Sequence, residues 1–190
     1  MSDDKARPLR EHELADTYQV ADTASAAVTD FLLTSWPRTI AVHNVESESA
    51  YQKLDIDLLW AILDAQDKLR IVPVEVKGDR YDRTGNFFFE TVSNADRGTP
   101  GCFLYTKAEW LLYYFVRIGR LYCLPMGQVR PWFLANLDDF AEKRTSTNVG
   151  RRNYVTIGQL VPIERVMAEV DGVRRFDRSE NGWEEFAGEA

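Results

Sequence analysis

The clearest alternation of apolar and polar positions runs through Leu54-Asp55-Ile56-Asp57-Leu58-Leu59-Trp60 and resumes in Ile71-Val72-Pro73-Val74-Glu75-Val76-Lys77. Residues i and i+2 of an extended strand share a face. The first stretch therefore predicts a strand with Asp55 and Asp57 on one side and Ile56 and Leu58 on the other. The second predicts a strand with Glu75 and Lys77 on one face and Val74 and Val76 turned into a core. Between them, Leu63-Asp64-Ala65-Gln66-Asp67-Lys68 is short enough to fold the strands back antiparallel, so that their charged faces adjoin. Pro73 cannot donate to a ladder and predicts a bulge or an unpaired position.

The remaining elements follow from the same periodicities. Residues 1–20 are polar and without a clear period, and are expected to be a flexible lead-in. Asp22 or Ser25 can cap a helix carrying Val28, Phe31, Leu32 and Ser35 at i, i+3, i+4 and i+7, which Trp36-Pro37 stops. Strands are predicted over 39–45, 87–92, 121–126 and 154–161, and a helix over Pro131–Lys143. Thr106 with Glu109 reads as a capping box for another helix, with Ala108, Leu111, Leu112, Phe115 and Ile118 as its apolar stripe. Residues 166–190 form an acidic tail in which Phe176, Trp183 and Phe186 can dock on the body. The order describes an α/β chain with one domain over residues 21–165.

Composition fits that picture. The 190 residues are 45% hydrophobic, enough for one core and short for two. No apolar run approaches the roughly 20 residues that span a bilayer, and the first residues lack the basic and apolar segments of a secretory leader, so a cytoplasmic protein without a membrane partner is expected. Cys102 and Cys123 show no metal-ligand spacing and read as small buried hydrophobes. His43, within an apolar strand, reads as structural.

The net charge of −7 argues at first against a nucleic-acid partner. It conceals an asymmetry. Residues 1–60 carry −6, 61–96 carry −2, 97–165 carry +5 and 166–190 carry −4. A basic middle between acidic ends is compatible with phosphate contacts. Candidates are Arg80, Tyr81 and Arg83 beside the hairpin, and Lys107, Arg151 and Arg152 within the basic segment, which also holds Arg117, Arg120, Arg130, Lys143 and Arg144.

An acid on one strand followed by Glu-x-Lys on the next suits metal-assisted phosphodiester hydrolysis. The carboxylates of Asp57 and Glu75 and the backbone carbonyl of Val76 are hard oxygen donors suited to Mg²⁺, with Mn²⁺ as a substitute. Lys77 would orient or activate the attacking water, or stabilise charge at phosphorus. Asp55, Glu90 and Glu46 are supporting candidates, and Asp30 is the one acid within the first helix.

With Leu54-Asp55-Ile56-Asp57, Val74-Glu75-Val76-Lys77, the strand from Asn86 to Val92 and the helix expected from Thr106, residues 39–126 resemble the PD-(D/E)XK nuclease superfamily. The resemblance implies a restriction-endonuclease-like core, a small mixed β-sheet flanked by helices, and Mg²⁺-dependent cleavage of DNA. By position, Asp57 matches the metal-binding Asp, Glu75 the second ligand and Lys77 the catalytic Lys. No Pro precedes either Asp, which leaves Asp55 open beside Asp57; the Ile-Asp ending matches the exonuclease-type motif and favours Asp57. Endonuclease action from a phage or mobile element, with a homodimer for double-strand cutting, completes the expectation.

Two competing readings stand beside it. Glu-x-Lys on an exposed strand is commonly a cross-strand ion pair without chemistry. A nuclease-like fold with vestigial acids could also serve only to bind nucleic acid or a protein.

Overall fold

The structure is a computed structural model that describes residues 10–149 and 152–187, with side chains described over 16–146 and 154–187. In chain order the elements are β1 (Arg10–Glu13), α1 (Leu14–Thr34), β2 (Thr39–Asn44), α2 (Ser49–Gln52), β3 (Leu58–Leu63), β4 (Leu69–Asp79), β5 (Asn86–Asn94) and β6 (Thr99–Pro100). They continue with α3 (Cys102–Tyr105), β7 (Trp110–Phe115), β8 (Arg120–Pro125), α4 (Met126–Ala135), β9 (Ala141–Val149), β10 (Arg152–Pro162), α5 (Ile163–Glu169), β11 (Arg174–Ser179) and β12 (Gly182–Glu185).

This is an α/β fold on a mixed sheet. Seven strands are ordered β12-β11-β8-β7-β4-β3-β2, with β4 and β7 parallel and every other neighbouring pair antiparallel. A second sheet is ordered β1-β9-β10-β5-β6. The parallel step at the centre is possible because the chain leaves after β4, builds β5, β6 and α3, and returns as β7, long enough a crossover to reverse direction.

Two apolar layers clasp the seven-stranded sheet. On one face α1 places Ala24, Ala27, Val28, Phe31 and Leu32, a run at helical spacing, against Leu58, Trp60, Val72, Val74, Leu112, Tyr114 and Leu121. Gly78 sets the closeness of that contact, since a Cβ there would stand 2.8 Å from the Val20 carbonyl oxygen. On the other face Leu111, Tyr113, Phe115, Tyr122 and Leu124 pack with Phe87 and Phe89 of β5 and Phe133 of α4. Tyr113 ties the sheets together: its hydroxyl donates to Asp79 and accepts from the Phe88 amide (3.2 Å).

The antiparallel β3–β4 hairpin forms, with Leu58 opposite Val74 and Leu63 opposite Leu69 in unbroken register, but its first strand runs Leu58–Leu63 and not from Leu54. Pro73 makes no bulge. Its carbonyl accepts from the Glu109 amide (2.8 Å), so its nitrogen faces away from β3, where no ladder bond is lost.

Several expectations are corrected. The helix expected from Thr106 is the strand β7, buried on both faces; a continuous apolar run satisfies both periods, and the sheet decides. Thr106 caps nothing of that kind: its hydroxyl donates to the Asp55 carbonyl (2.6 Å) and accepts from the Ala108 amide (3.0 Å). The helix expected over Pro131–Lys143 lies earlier, as α4 with Pro131 inside it, and Lys143 belongs to β9. Helix α1 begins at Leu14, so Asp22 and Ser25 lie within it, and the lead-in is structured from Arg10; residues 1–9 lie outside the described residues. The acidic tail contributes β11 and β12 to the main sheet, burying Phe176 against Phe31 (ring centroids 4.6 Å) and setting Trp183 beside it (5.3 Å). Phe186 stays exposed, with the Arg175 guanidinium over its ring. His43 is exposed, 3.6 Å from Glu48. Among the described residues no helix is long and apolar enough to cross a membrane.

Candidate metal and catalytic centre

The charged face of β4 lies inside the molecule, between the two sheets. Glu75 and Lys77 sit in parallel register with Leu111 and Tyr113 of β7, on the face that packs toward β5. Glu75 is only 8% exposed, and Lys77 is half-buried. With Glu90, Cys102, Thr106 and Tyr113 they line a small cavity.

Asp55 and Asp57 reach this face by a route the alternation did not predict. They are not strand residues. Strand β3 starts at Leu58, and the segment before it is a turn in which Asp55 has φ +55°. Local bonds hold the turn: the Leu54 amide donates to the Tyr51 carbonyl (2.9 Å), and the Asp57 amide to that of Val74 (2.9 Å). From the other side the Lys107 amide donates to the Leu54 carbonyl (2.9 Å), and the Tyr105 hydroxyl reaches Asp55 Oδ1 (3.4 Å). Arg130 braces that support by donating to the carbonyls of Phe103 (3.1 Å) and Thr106 (2.7 Å).

The Val76 amide donates to Asp57 Oδ2 (2.8 Å), where β3 has ended and the side chain takes over the ladder bond. Strand geometry places the Val76 carbonyl on the same edge. Asp57 also stands close enough to Glu75 for its charge to disfavour the Glu75 carboxylate. Asp55 Oδ2 and Glu75 Oε2 are buried without a hydrogen-bond partner. Such orphaned oxygens are costly unless something else occupies them.

The electrostatics agree with three acids crowded away from water. Burial pushes Asp55 up to about 6, with the Asp57 charge adding to it. Burial likewise pushes Asp57 up to about 6, against the help of the Val76 amide. Glu75 is held well above the carboxylate range by burial and then by Asp57 and Asp55. Lys77 is raised too, which for an amine keeps the charge: burial disfavours it, but the Glu90 carboxylate, in direct ion pair with its Nζ, holds it firmly protonated.

A hard divalent cation fits this donor set. Asp55 and Glu75 each bring a ligand oxygen within 4.8 Å of the other, and a cation between them would replace the protons that the crowded carboxyls otherwise retain. Oxygen donors of this kind suit Mg²⁺.

The supporting candidates separate. Glu90 joins the site as the partner of Lys77 across the two sheets. Glu46 is exposed in the loop after β2, near enough to raise Asp57 by its charge. Asp30 does not belong: it lies on the α1 side, accepting from Trp183 Nε1 (3.1 Å) and 3.6 Å from Arg178. Beyond β4, Arg80 pairs with Asp16 (3.4 Å), Tyr81 is half-buried with its amide on Asp79, and Arg83 is exposed. Lys107 is exposed next to the Asp55 turn. Arg151 and the side chain of Arg152 lie outside the described residues. Arg120 is engaged by Asp177 and Arg144 by Glu142, in structural ion pairs.

Cys102 is the residue that the sequence reading misses. Cys123 is the buried small hydrophobe expected, whereas Cys102 is half-buried against the acids. One ligand atom from each of Asp55, Glu75 and Cys102 lies within 4.8 Å of the other two. Gly101 makes this possible, because a Cβ at that position would stand 2.2 Å from the Glu90 carbonyl oxygen. The local sequence Thr99-Pro100-Gly101-Cys102 signals a turn and nothing of the acids it approaches.

No protein-family model, curated protein or solved structure matches the chain.

Proposed function

We propose that the protein is a metal-dependent nuclease that hydrolyses DNA phosphodiester bonds, with a restriction-endonuclease-like core. The observation that carries this reading is the convergence of Asp57, Glu75 and Lys77, with Asp55 and Glu90, on one partly enclosed face of the β3–β4 hairpin. The antiparallel strands β2, β3 and β4, continued by β7 parallel to β4, support the core implied by the resemblance.

Asp57 and Glu75 would hold Mg²⁺ or Mn²⁺, with the Val76 carbonyl beside them and the orphaned oxygen of Asp55 as a further donor. The bound ion supplies charge neutralisation at the phosphate and a more acidic water. Lys77 is fully protonated through Glu90, so its part is that of a donor: it orients the attacking water and stabilises charge accumulating on the phosphate oxygens. Glu90 fixes the ammonium in place. Lys107, exposed beside the Asp55 turn, and Arg83, exposed in the connection between β4 and β5, are candidates for backbone phosphate contacts.

The Lys77–Glu90 pair favours one second reading, a binding module, because an ammonium satisfied by its own carboxylate needs no substrate. Purified protein incubated with linear and supercoiled DNA separates them. Nicking or degradation with Mg²⁺ or Mn²⁺, stopped by chelator and abolished in Lys77→Ala and Asp57→Ala with unchanged circular dichroism, is the expected result. Salt-sensitive DNA retention without Mn²⁺ binding would establish the module instead.

A further inference from the structure

The donors around Glu75 mix two carboxylates with a thiol. Glu75 is more than nine-tenths buried, with Oε2 unpartnered, and Asp55 Oδ2 is likewise buried without a partner. Cys102 Sγ completes a triangle with ligand atoms of both acids, no side longer than 4.8 Å. Zinc bonds sulfur at about 2.3 Å and carboxylate oxygen at about 2.0–2.2 Å, which sets tetrahedral donors roughly 3.3–3.7 Å apart, so side-chain rotations of about 1 Å close the triangle on one ion. Mg²⁺ gains nothing from sulfur, but borderline and soft cations gain a strong third bond.

We propose that Asp55, Glu75 and Cys102 form a site for a thiophilic divalent cation such as Zn²⁺, Co²⁺ or Cd²⁺, overlapping the place where Mg²⁺ would sit and excluding it. Only the identity of the excluded ion rests on the nuclease reading. Binding is a proton-for-metal exchange: the Cys102 thiol and the crowded carboxyls give up the protons they hold to solvent, sulfur and oxygen lone pairs bond the cation, and nothing is oxidised or reduced. Three protein donors leave at least one coordination position for water. The physiological consequence is selectivity by softness: traces of a thiophilic ion would hold the site against a large excess of Mg²⁺.

Co²⁺ added to the metal-free protein is the probe. A sulfur-to-cobalt charge-transfer band in the near ultraviolet is expected, lost in Cys102→Ala, retained in Cys123→Ala and bleached by Zn²⁺. Zn²⁺ affinity should fall in Cys102→Ala by at least the ~10–100-fold that loss of even an outer-sphere partner brings. In the unaltered protein Zn²⁺, but not Mg²⁺, should block alkylation of Cys102. Absence of the band, its survival in Cys102→Ala, or equal alkylation with and without Zn²⁺ overturns the proposal. A sulfur band without Mg²⁺-dependent DNA cleavage leaves the soft-metal site standing and removes the nuclease; cleavage without the band does the reverse.

Discussion

The two faces of β4 are built to opposite rules. Val72 and Val74 look toward α1 into a layer where Phe31, Trp60, Leu112 and Tyr114 leave no charge. One residue along, Glu75 and Lys77 look toward the second sheet, where carboxyls crowd one another and two oxygens find no partner. Burial stabilises the first face by about 1.5–3 kcal/mol for each large side chain. On the second, the same burial raises acids to about 6 and stores unfavourable free energy that a bound cation would release. The strand can carry an unsatisfied face because the opposite one is closed by apolar packing.

The sharpest way to test this division is to mutate one residue from each face. Lys77→Ala should lower cleavage per folded molecule by about 10²–10³-fold, as loss of a positioned charge-stabilising donor does. Phe31→Ala should do the converse, costing about 3–5 kcal/mol in urea or thermal denaturation, with cleavage per folded molecule retained. If both variants lose stability equally and Lys77→Ala cleaves normally, the two faces do not differ in function.

A smaller effect concerns pH. The unfolded chain releases the Asp55 and Asp57 protons near 3.8, and the folded chain retains them to about 6. Stability of the metal-free protein therefore falls as pH rises through that window, because the native state binds more protons than the unfolded one. Glu75, also raised by burial, adds to the fall. Denaturation followed from pH 4 to 8 should show the decline, Glu75→Gln should lessen it, and Mn²⁺ should oppose it. A flat profile would mean that the acids are not crowded in solution.

The smallest effect lies at the edge of the site. Arg83→Ala should weaken DNA retention about equally for all sequences and reduce the salt slope of binding by about one. An unchanged slope would remove Arg83 from the interface.

Much of the hairpin was legible because it is local. Alternation put Glu75 and Lys77 on one face and Val74 on the other, and the five residues 64–68 were enough to pair β3 with β4. The same reasoning misread Asp55 and Asp57 as strand residues: they follow the alternating pattern, yet the turn that ends at Leu58 is set by contacts from Tyr105, Thr106 and Lys107, about fifty positions away. Leu111, Leu112 and Phe115 fit a helix as well as a strand, and only neighbours on both sides of β7 made them a strand. Cys102 carried no sign at all, since its meaning lies in distances to residues remote in the chain.

The sequence by itself determined which residues could carry the chemistry, because side-chain type and a two-residue period are local properties. The tertiary structure alone decided that the face is enclosed, that Lys77 is held by Glu90, and that a thiol stands among the acids. Desolvation, ion pairing and coordination depend on what is near in space, and the crossover from β4 through β5 and α3 to β7 is what brings those groups together.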